Sequence, residues 1–240
     1  MLRMKIATWN VAYGDSPSKN AIVIEEMMRI DADIWILTET HDSLCPTAPG
    51  VWSSISSDHR PQDAPKVKDG SRWVAIWTRF PIKLVRPTYD SVRTAAGIVN
   101  TALGDLLVFG TVLPWYRDTG RTVSDEIARQ SEDWKVMLQA RSGLSLCVAG
   151  DFNVNLGGPH YYGATESKRA VHNTLNEFGL VAVTNFERTG PVQFGKFGLI
   201  DHIAISKAFV QRIAPPEVWQ RQNYRGEVMS DHCGVAVALL

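Results

Sequence analysis

The stretch Leu144-Ser145-Leu146-Cys147-Val148-Ala149-Gly150-Asp151-Phe152-Asn153 changes character at its midpoint. Leu144–Ala149 is a short apolar run with the length and composition of a buried strand. Gly150-Asp151-Phe152-Asn153 then gathers a glycine and two short polar side chains. Asp and Asn hydrogen-bond their own backbone, so this is a turn signal. It is equally the signature of a polar site opening at the end of a strand.

The pattern recurs on either side. Met4–Trp9 ends in Trp9-Asn10, and Asp33–Leu37 ends in Thr38-Glu39. Ser230-Asp231-His232 directly precedes the apolar run Cys233–Leu239. Taken singly, each reads as well as a turn, a solvated loop or, for His232, a satisfied core histidine. Asp201 is less easily dismissed. In Leu199-Ile200-Asp201-His202-Ile203 a period of two puts Asp201 on the face of Leu199 and Ile203. A carboxylate there is costly unless it is paired or holds a metal.

Further strand signals lie at Trp73–Thr78, Leu106–Val112 and Leu199–Ile205. Helical periodicity predicts Lys19–Ile30, with Ile22, Ile24, Met27, Met28 and Ile30 inward and Glu25 and Glu26 outward. A second helix, Val123–Arg141, directs Ile127, Trp134, Val136, Met137 and Leu138 inward. A third, Thr165–Phe178, stops at Gly179. Strands that both alternate with helices and follow one another indicate mixed sheets. Two such sheets packed face to face, with helices outside, bury this many apolar strands. No repeat or long linker divides the chain, so residues 1–240 read as a single α/β domain.

Composition narrows the function classes. Lys plus Arg and Asp plus Glu are both 25, so strong non-specific coating of DNA is disfavoured. No apolar run approaches the roughly 20 residues of a membrane helix, and the N-terminus runs straight into a strand pattern without a signal-peptide core. Cys45, Cys147 and Cys233 are odd in number and widely spaced, which reads as reduced thiols and a cytoplasmic location. Neither GxGxxG nor GxxxxGK[ST] is present, leaving dinucleotide and P-loop chemistry unsupported.

In this order, Trp9-Asn10, Glu39, Gly150-Asp151-Phe152-Asn153, Asp201 and Ser230-Asp231-His232 resemble the motifs of the endonuclease/exonuclease/phosphatase family. The resemblance spans the chain from Trp9 to His232. It implies an α/β (α+β) four-layer sandwich: two mixed β-sheets packed face to face, flanked by helices, with the site at one end. It also implies roles. Glu39 is the main metal carboxylate, Asn10 helps set the metal and its waters, and Asp231 is a further metal-side carboxylate. Asp151 orients or deprotonates the attacking water, and Asn153 holds that water or a phosphate oxygen. His232 hydrogen-bonds a phosphoryl oxygen while Asp201 fixes its ring and favours the imidazolium. The implied cofactor is Mg²⁺, or Mn²⁺; hard cations prefer such oxygen donors, and no motif contains the Cys that a thiolate zinc site needs.

The chain also departs from the family pattern. Ala12 stands where many nucleases of the family carry Asp, which puts an auxiliary carboxylate or second metal position in question. Val112 or Leu113 occupies the place of a polar His or Tyr, and Thr38 that of the usual Gln before the glutamate. Candidate substrate contacts are Arg72, Trp115, Tyr116, Arg117 and His160. Two aromatic rings and a guanidinium together suit stacking on a base and holding a phosphate. The implied activity is divalent-metal-dependent hydrolysis of phosphodiester bonds in nucleic acid (DNA or RNA) or nucleotides. A small or lipid-derived phosphate is the alternative substrate. A catalytically silent binding module is the rival from another class, although a silent relative would be expected to have lost Glu39, Asp151 or His232.

Overall fold

Successive strand residues point into different cores. In β2 (Ile34–His41), Ile34 and Ile36 enter one cluster while Trp35 and Leu37 enter another. In β7 (Gly104–Val112), Leu106 and Val108 share the first cluster, whereas Leu107 and Phe109 belong to a third. Strands buried on both faces read as continuous apolar runs, and this is why they were visible in the sequence.

The structure, a computed structural model, describes residues 3–46, 52–61, 67–115, 118 and 120–240. One six-stranded sheet runs in the order β11 (Glu217–Trp219), β12 (Gly234–Leu239), β1 (Met4–Asn10), β2, β4 (Ser71–Thr78), β3 (Ser53–Ser56). The other runs β5 (Ile82–Val85), β6 (Thr94–Thr101), β7, β8 (Ser145–Asp151), β10 (Asp201–Ser206), β9 (Leu180–Ala182). The β1–β2 and β7–β8 pairs are parallel and the remaining pairs antiparallel, so both sheets are mixed. The shared core between them holds Ile6, Ile36, Ile76, Val108, Ala149 and Ile203.

Helix α1 (Pro17–Ile30) covers the outer face of the first sheet through Val23, Met27 and Ile30. Helices α2 (Val123–Gln139) and α3 (Thr165–Glu177) cover the second through Ile127, Trp134, Val171 and Leu175. A short helix, α4 (Phe186–Thr189), follows β9. These are the four layers expected from the sequence. Among the described residues no helix is long and apolar enough to cross a membrane.

Two helix faces differ from the sequence reading. In α1 Glu26 is buried and Met28 is 65% exposed, because Arg29 donates two hydrogen bonds to Glu26 and the buried stripe runs Val23–Glu26–Met27–Ile30. In α2 Val136 is 57% exposed while Glu126 and Gln130 are buried. Gln130 donates to Glu126 at 3.0 Å and accepts from Thr111 at 2.9 Å, so polar partners replace the expected apolar contact. The sequence also missed β3, β5, β6, β9 and β11. Asp201 is the first residue of β10 instead of lying within the strand.

The topology brings the polar strand ends together. Asn10 ends β1 and pairs with Thr38 next to Glu39, while Asp151 ends β8 and pairs with Asp201. Gly150 makes the last turn of β8 feasible: its φ is +140°, and a Cβ there would collide with the Thr111 carbonyl oxygen.

Candidate active site

Asn10 joins the two sheets. Its Nδ2 donates to Glu39 Oε1 at 3.1 Å on the first sheet and to Asp151 Oδ2 at 3.2 Å on the second. Its Oδ1 is turned away and accepts from the Ala12 N–H at 2.9 Å. Asp151 accepts the Asn153 N–H on its other oxygen at 2.9 Å, and Asn153 anchors its own amide on the Leu113 carbonyl at 2.8 Å. At Val112–Leu113, where a polar side chain was sought, a backbone oxygen thus does the holding. Opposite Asp151, Asp201 Oδ2 meets His232 Nδ1 at 2.6 Å. The His232 loop is itself fixed: Ser230 Oγ accepts the His232 N–H at 3.1 Å and donates to the Asn10 carbonyl at 2.6 Å, and fully buried Trp9 donates its indole N–H to the His232 carbonyl at 3.2 Å.

Backbone conformation carries the same signature. Among the described residues six non-glycines have positive φ, and four of them surround this cluster: Ala12 at +48°, Tyr13 at +78°, Glu39 at +47° and Asn153 at +51°. Such geometry persists only where surrounding contacts enforce it, and it concentrates at functional sites. The β2–β4 ladder pairs Thr38 with Val74 and Thr40 with Arg72 but skips Glu39, whose carbonyl instead accepts the Tyr13 N–H at 2.7 Å.

The electrostatics follow from burial. Asp201 is fully buried and Asp151 is 2% exposed. Burial, then the Asp201 charge, raise the Asp151 carboxyl to about 7 despite the opposing pull of His232. Burial pulls His232 down, but the Asp201 charge and hydrogen bond, with Asp151 and Asp231 behind them, outweigh it and raise the imidazole to about 10. One ligand atom from each of Asp151, Asp201 and His232 lies within 4.8 Å of the other two. Asp201 Oδ1 is buried without a hydrogen-bond partner, and Glu39 accepts a single side-chain hydrogen bond among the described residues. Vacant carboxylate oxygens, with no thiolate among them, fit a hard divalent cation.

The sequence matches the Endonuclease/Exonuclease/phosphatase family over residues 7–232. The chain belongs to this family. An AP endonuclease from Archaeoglobus fulgidus superposes with a TM-score of 0.69 at 19% identity, covering 98% of this chain and 99% of that one. The 3′ phosphatase NExo from Neisseria, bound to a product DNA hairpin, gives 0.70 at 19% identity and 99% coverage of both chains. A truncated TDP2 from Caenorhabditis elegans gives 0.65 at 13% identity, covering 100% and 98%. Among curated protein sequences no match was found. Family members are hydrolases of phosphoester bonds that depend on a divalent metal.

The family fold gathers Asn10, Glu39, Asp151, Asn153, Asp201 and His232 into one hydrogen-bonded group. Asp231 is exposed at its edge, close enough to add to the field on His232. Trp115 and His160 line a groove of about 620 Å³ that includes Asn153, Tyr161, Tyr162 and the N-terminal ends of α2 and α3. His160 is further tied to Lys168 at 2.9 Å. Arg72 does not join them: it grips Asp42 at 2.9 and 3.0 Å and the Ser57 carbonyl at 2.8 Å. Tyr116 and Arg117 lie outside the described residues.

Sequence reasoning missed several neighbours. Lys19 donates to the Ala12 carbonyl at 2.7 Å; burial lowers its pKa, opposed by Asp231, Asp15 and Glu39. An ammonium therefore stands beside the position where Ala12 replaces the family's carboxylate. The periodicity that predicts Lys19–Ile30 does not say where Lys19 points. Tyr161 stacks on Phe197 at 4.9 Å and meets Phe194 at 6.1 Å, making an aromatic wall that only the tertiary fold assembles.

Proposed function

We propose that this chain is an Mg²⁺- or Mn²⁺-dependent phosphodiesterase acting on nucleic acid or nucleotides. The observation that carries the reading is the opposed pair of a carboxylate, Asp151, and a carboxylate-backed imidazole, Asp201–His232, in one buried cluster. Hydrolysis of a phosphodiester needs a deprotonated nucleophile on one side of phosphorus and a cationic donor for its oxygens. A positioned acid or base contributes typically about 10²–10⁴-fold.

Asp151 accepts the Asn153 N–H on Oδ1 and the Asn10 amide on Oδ2, and the lone pairs left on these oxygens serve the attacking water. Asn153 holds Asp151 and, through its fixed orientation on Leu113, lines the substrate groove. His232 keeps its proton because Asp201 stands behind it, and it presents Nε2 to a phosphoryl oxygen. Asn10 acts through its amide nitrogen, bridging Glu39 and Asp151 and holding the two carboxylates apart. Glu39 would be the main metal ligand, with Asp231 on its open side. When bound, the divalent cation neutralises phosphate oxygens and eases departure of the leaving oxygen. Lys19 adds positive charge on that side.

Nucleic acid or nucleotide is favoured over a lipid phosphate by the groove next to Asn153, where Trp115, Tyr161 and Tyr162 offer rings to stack on a base. The similarity to an AP endonuclease and to a 3′ phosphatase bound to a DNA hairpin supports the same choice. The same proposal includes a single domain over residues 1–240 and a cytoplasmic location, the latter supported by the buried Cys147 and Cys233 thiols. The test is hydrolysis of single- and double-stranded DNA, abasic DNA, RNA, dinucleotides and an aryl phosphodiester, with Mg²⁺ or Mn²⁺ and with EDTA. Metal-dependent cleavage of a nucleic acid or dinucleotide is expected. Turnover of the aryl ester alone would favour a small-molecule phosphate, and silence on every substrate would refute the reading.

A further inference from the structure

Two arginines are buried in the described part of the molecule, Arg93 at 8% and Arg60 at 9% exposure. Arg93 is neutralised by an ion pair with Asp118. Among the described residues Arg60 has no ion pair, and its buried Nη1 has no hydrogen-bond partner. Its guanidinium is held by rings instead, 3.5 Å from the centroid of Trp73 and 5.0 Å from that of Tyr13. Cation–π contact offsets part of the desolvation of a guanidinium but satisfies none of its N–H donors. A buried cation with a vacant donor is costly, so its retention calls for an anion that arrives from outside.

Its position says which anion. Both aromatic residues that hold Arg60 lie near Glu39: the Tyr13 N–H bonds the Glu39 carbonyl, and Trp73 lies between Arg72 and Val74, the partners of Thr40 and Thr38 on either side of Glu39. Trp73 continues the wall toward the groove, meeting Trp115 at 5.6 Å, with Arg93 5.1 Å from each ring. Arg60 makes no contact with Asp151, Asp201 or His232, the groups that face the reacting phosphorus.

We propose that Arg60 is a binding site for a second phosphate of the substrate, one that flanks the phosphate being cleaved. The ligand class is a phosphoester carrying at least two phosphate groups, as in an oligonucleotide or a terminally phosphorylated nucleotide; this rests on the phosphodiesterase reading above. The rings fix the position of the guanidinium. The planar fork suits phosphate oxygens, and Lys cannot reproduce it.

The first test needs no catalysis. In EDTA, inorganic phosphate is titrated by calorimetry into His232→Ala, which removes the other cationic donor, and into His232→Ala combined with Arg60→Met. Binding is expected to persist in the first and to weaken by at least about tenfold in the second, the loss of one charge-assisted contact. Equal affinities would overturn the proposal. The second test compares KM for a dinucleotide with and without a terminal phosphate, placed at either end. The wild type is expected to prefer a phosphorylated form and Arg60→Met to lose the preference, with Arg60→Lys recovering it only in part. A preference unchanged in Arg60→Met would overturn the site even if hydrolysis is robust. Phosphate binding that depends on Arg60 in a protein that cleaves no phosphodiester would leave the site standing and the reaction wrong. Removing an uncompensated buried charge should leave Tm equal or higher. A fall in Tm with unchanged phosphate affinity would mark Arg60 as a structural residue and contradict the assignment.

Discussion

Replacing Asp201 by Asn removes the charge behind His232 while keeping the size of the side chain. Asp201 is fully buried and reaches His232 Nδ1 at 2.6 Å, so little solvent screens the pair. Raising the imidazole from 6.5 to about 10 corresponds to roughly 5 kcal/mol in favour of the imidazolium at ~1.36 kcal/mol per pH unit. With Asn the burial that opposes this charge remains and only the Asp151 and Asp231 charges still support it, so the ring should titrate well below about 10 and toward its ordinary value. A ring returned to its ordinary value would carry the proton in about 3% of the variant at pH 8, against nearly all of the wild type. The expected rate deficit is up to about 30-fold at pH 8 and shrinks toward pH 5.5, where the variant regains its imidazolium. Ring ¹⁵N chemical shifts of His232 in the metal-free protein report the protonation directly, and kcat against pH reports its consequence. The reasoning fails if His232 titrates at the same pH in both proteins, or if the deficit is constant from pH 5.5 to 9.

Three further expectations follow from the geometry. Asn10→Ala deletes the amide between Glu39 and Asp151, and Mn²⁺ affinity measured by calorimetry should fall about 10–100-fold, as for other residues that orient metal ligands; an unchanged affinity contradicts the bridging role. Gly150→Ala puts a Cβ on the Thr111 carbonyl at a φ of +140°, and urea unfolding should show a loss of at least about 4 kcal/mol; a loss under about 1 kcal/mol is incompatible with that contact. In EDTA both Asp151 and His232 have folded pKa values above their unfolded ones. The fold therefore takes up protons, and stability present at low pH should be lost as pH rises from about 4 to 7 through Asp151 and from 6.5 to about 10 through His232. Melting curves from pH 7 to 9, above the range in which the buried His202, lowered to about 4, opposes this trend, should show Tm falling in EDTA and a shallower fall with Mg²⁺; a Tm that rises in EDTA refutes this.

The strands β1, β2, β4, β7, β8, β10 and β12 were legible because cores on both faces make them continuously apolar. β3 is mostly exposed and β5, β9 and β11 are short edge pieces, so they carry no such signal. β6 opens with Thr94, Ala95, Ala96 and Gly97 where space is tight: a Cβ on Gly97 would press on Ile55 of the facing sheet and on Ile82 of the adjacent strand. Small residues conceal a buried strand from a reading based on hydrophobicity. The three long helices were found and the short α4 was not; the phase of α1 slipped because Glu26 is buried and held by the exposed Arg29, which no apolar periodicity encodes. Among the site residues, those at strand ends declared themselves by polarity. Arg60, Tyr13 and Lys19 could not, since they lie in loops or at a helix start and owe their places to contacts with Trp73, Glu39 and Ala12. Arg72 looked equally suited to phosphate until the fold gave it Asp42.

The central claim is that one cluster both holds a metal and activates water, with the two tasks divided between Glu39 and Asp151. The most direct test is to measure, on the same preparations of wild type, Glu39→Gln and Asp151→Asn, Mn²⁺ affinity by calorimetry and phosphodiester hydrolysis by single turnover. Glu39→Gln should lose metal and turnover together, whereas Asp151→Asn should keep most of its metal affinity and lose several orders of magnitude in rate. Near-wild-type hydrolysis by either variant would contradict the account.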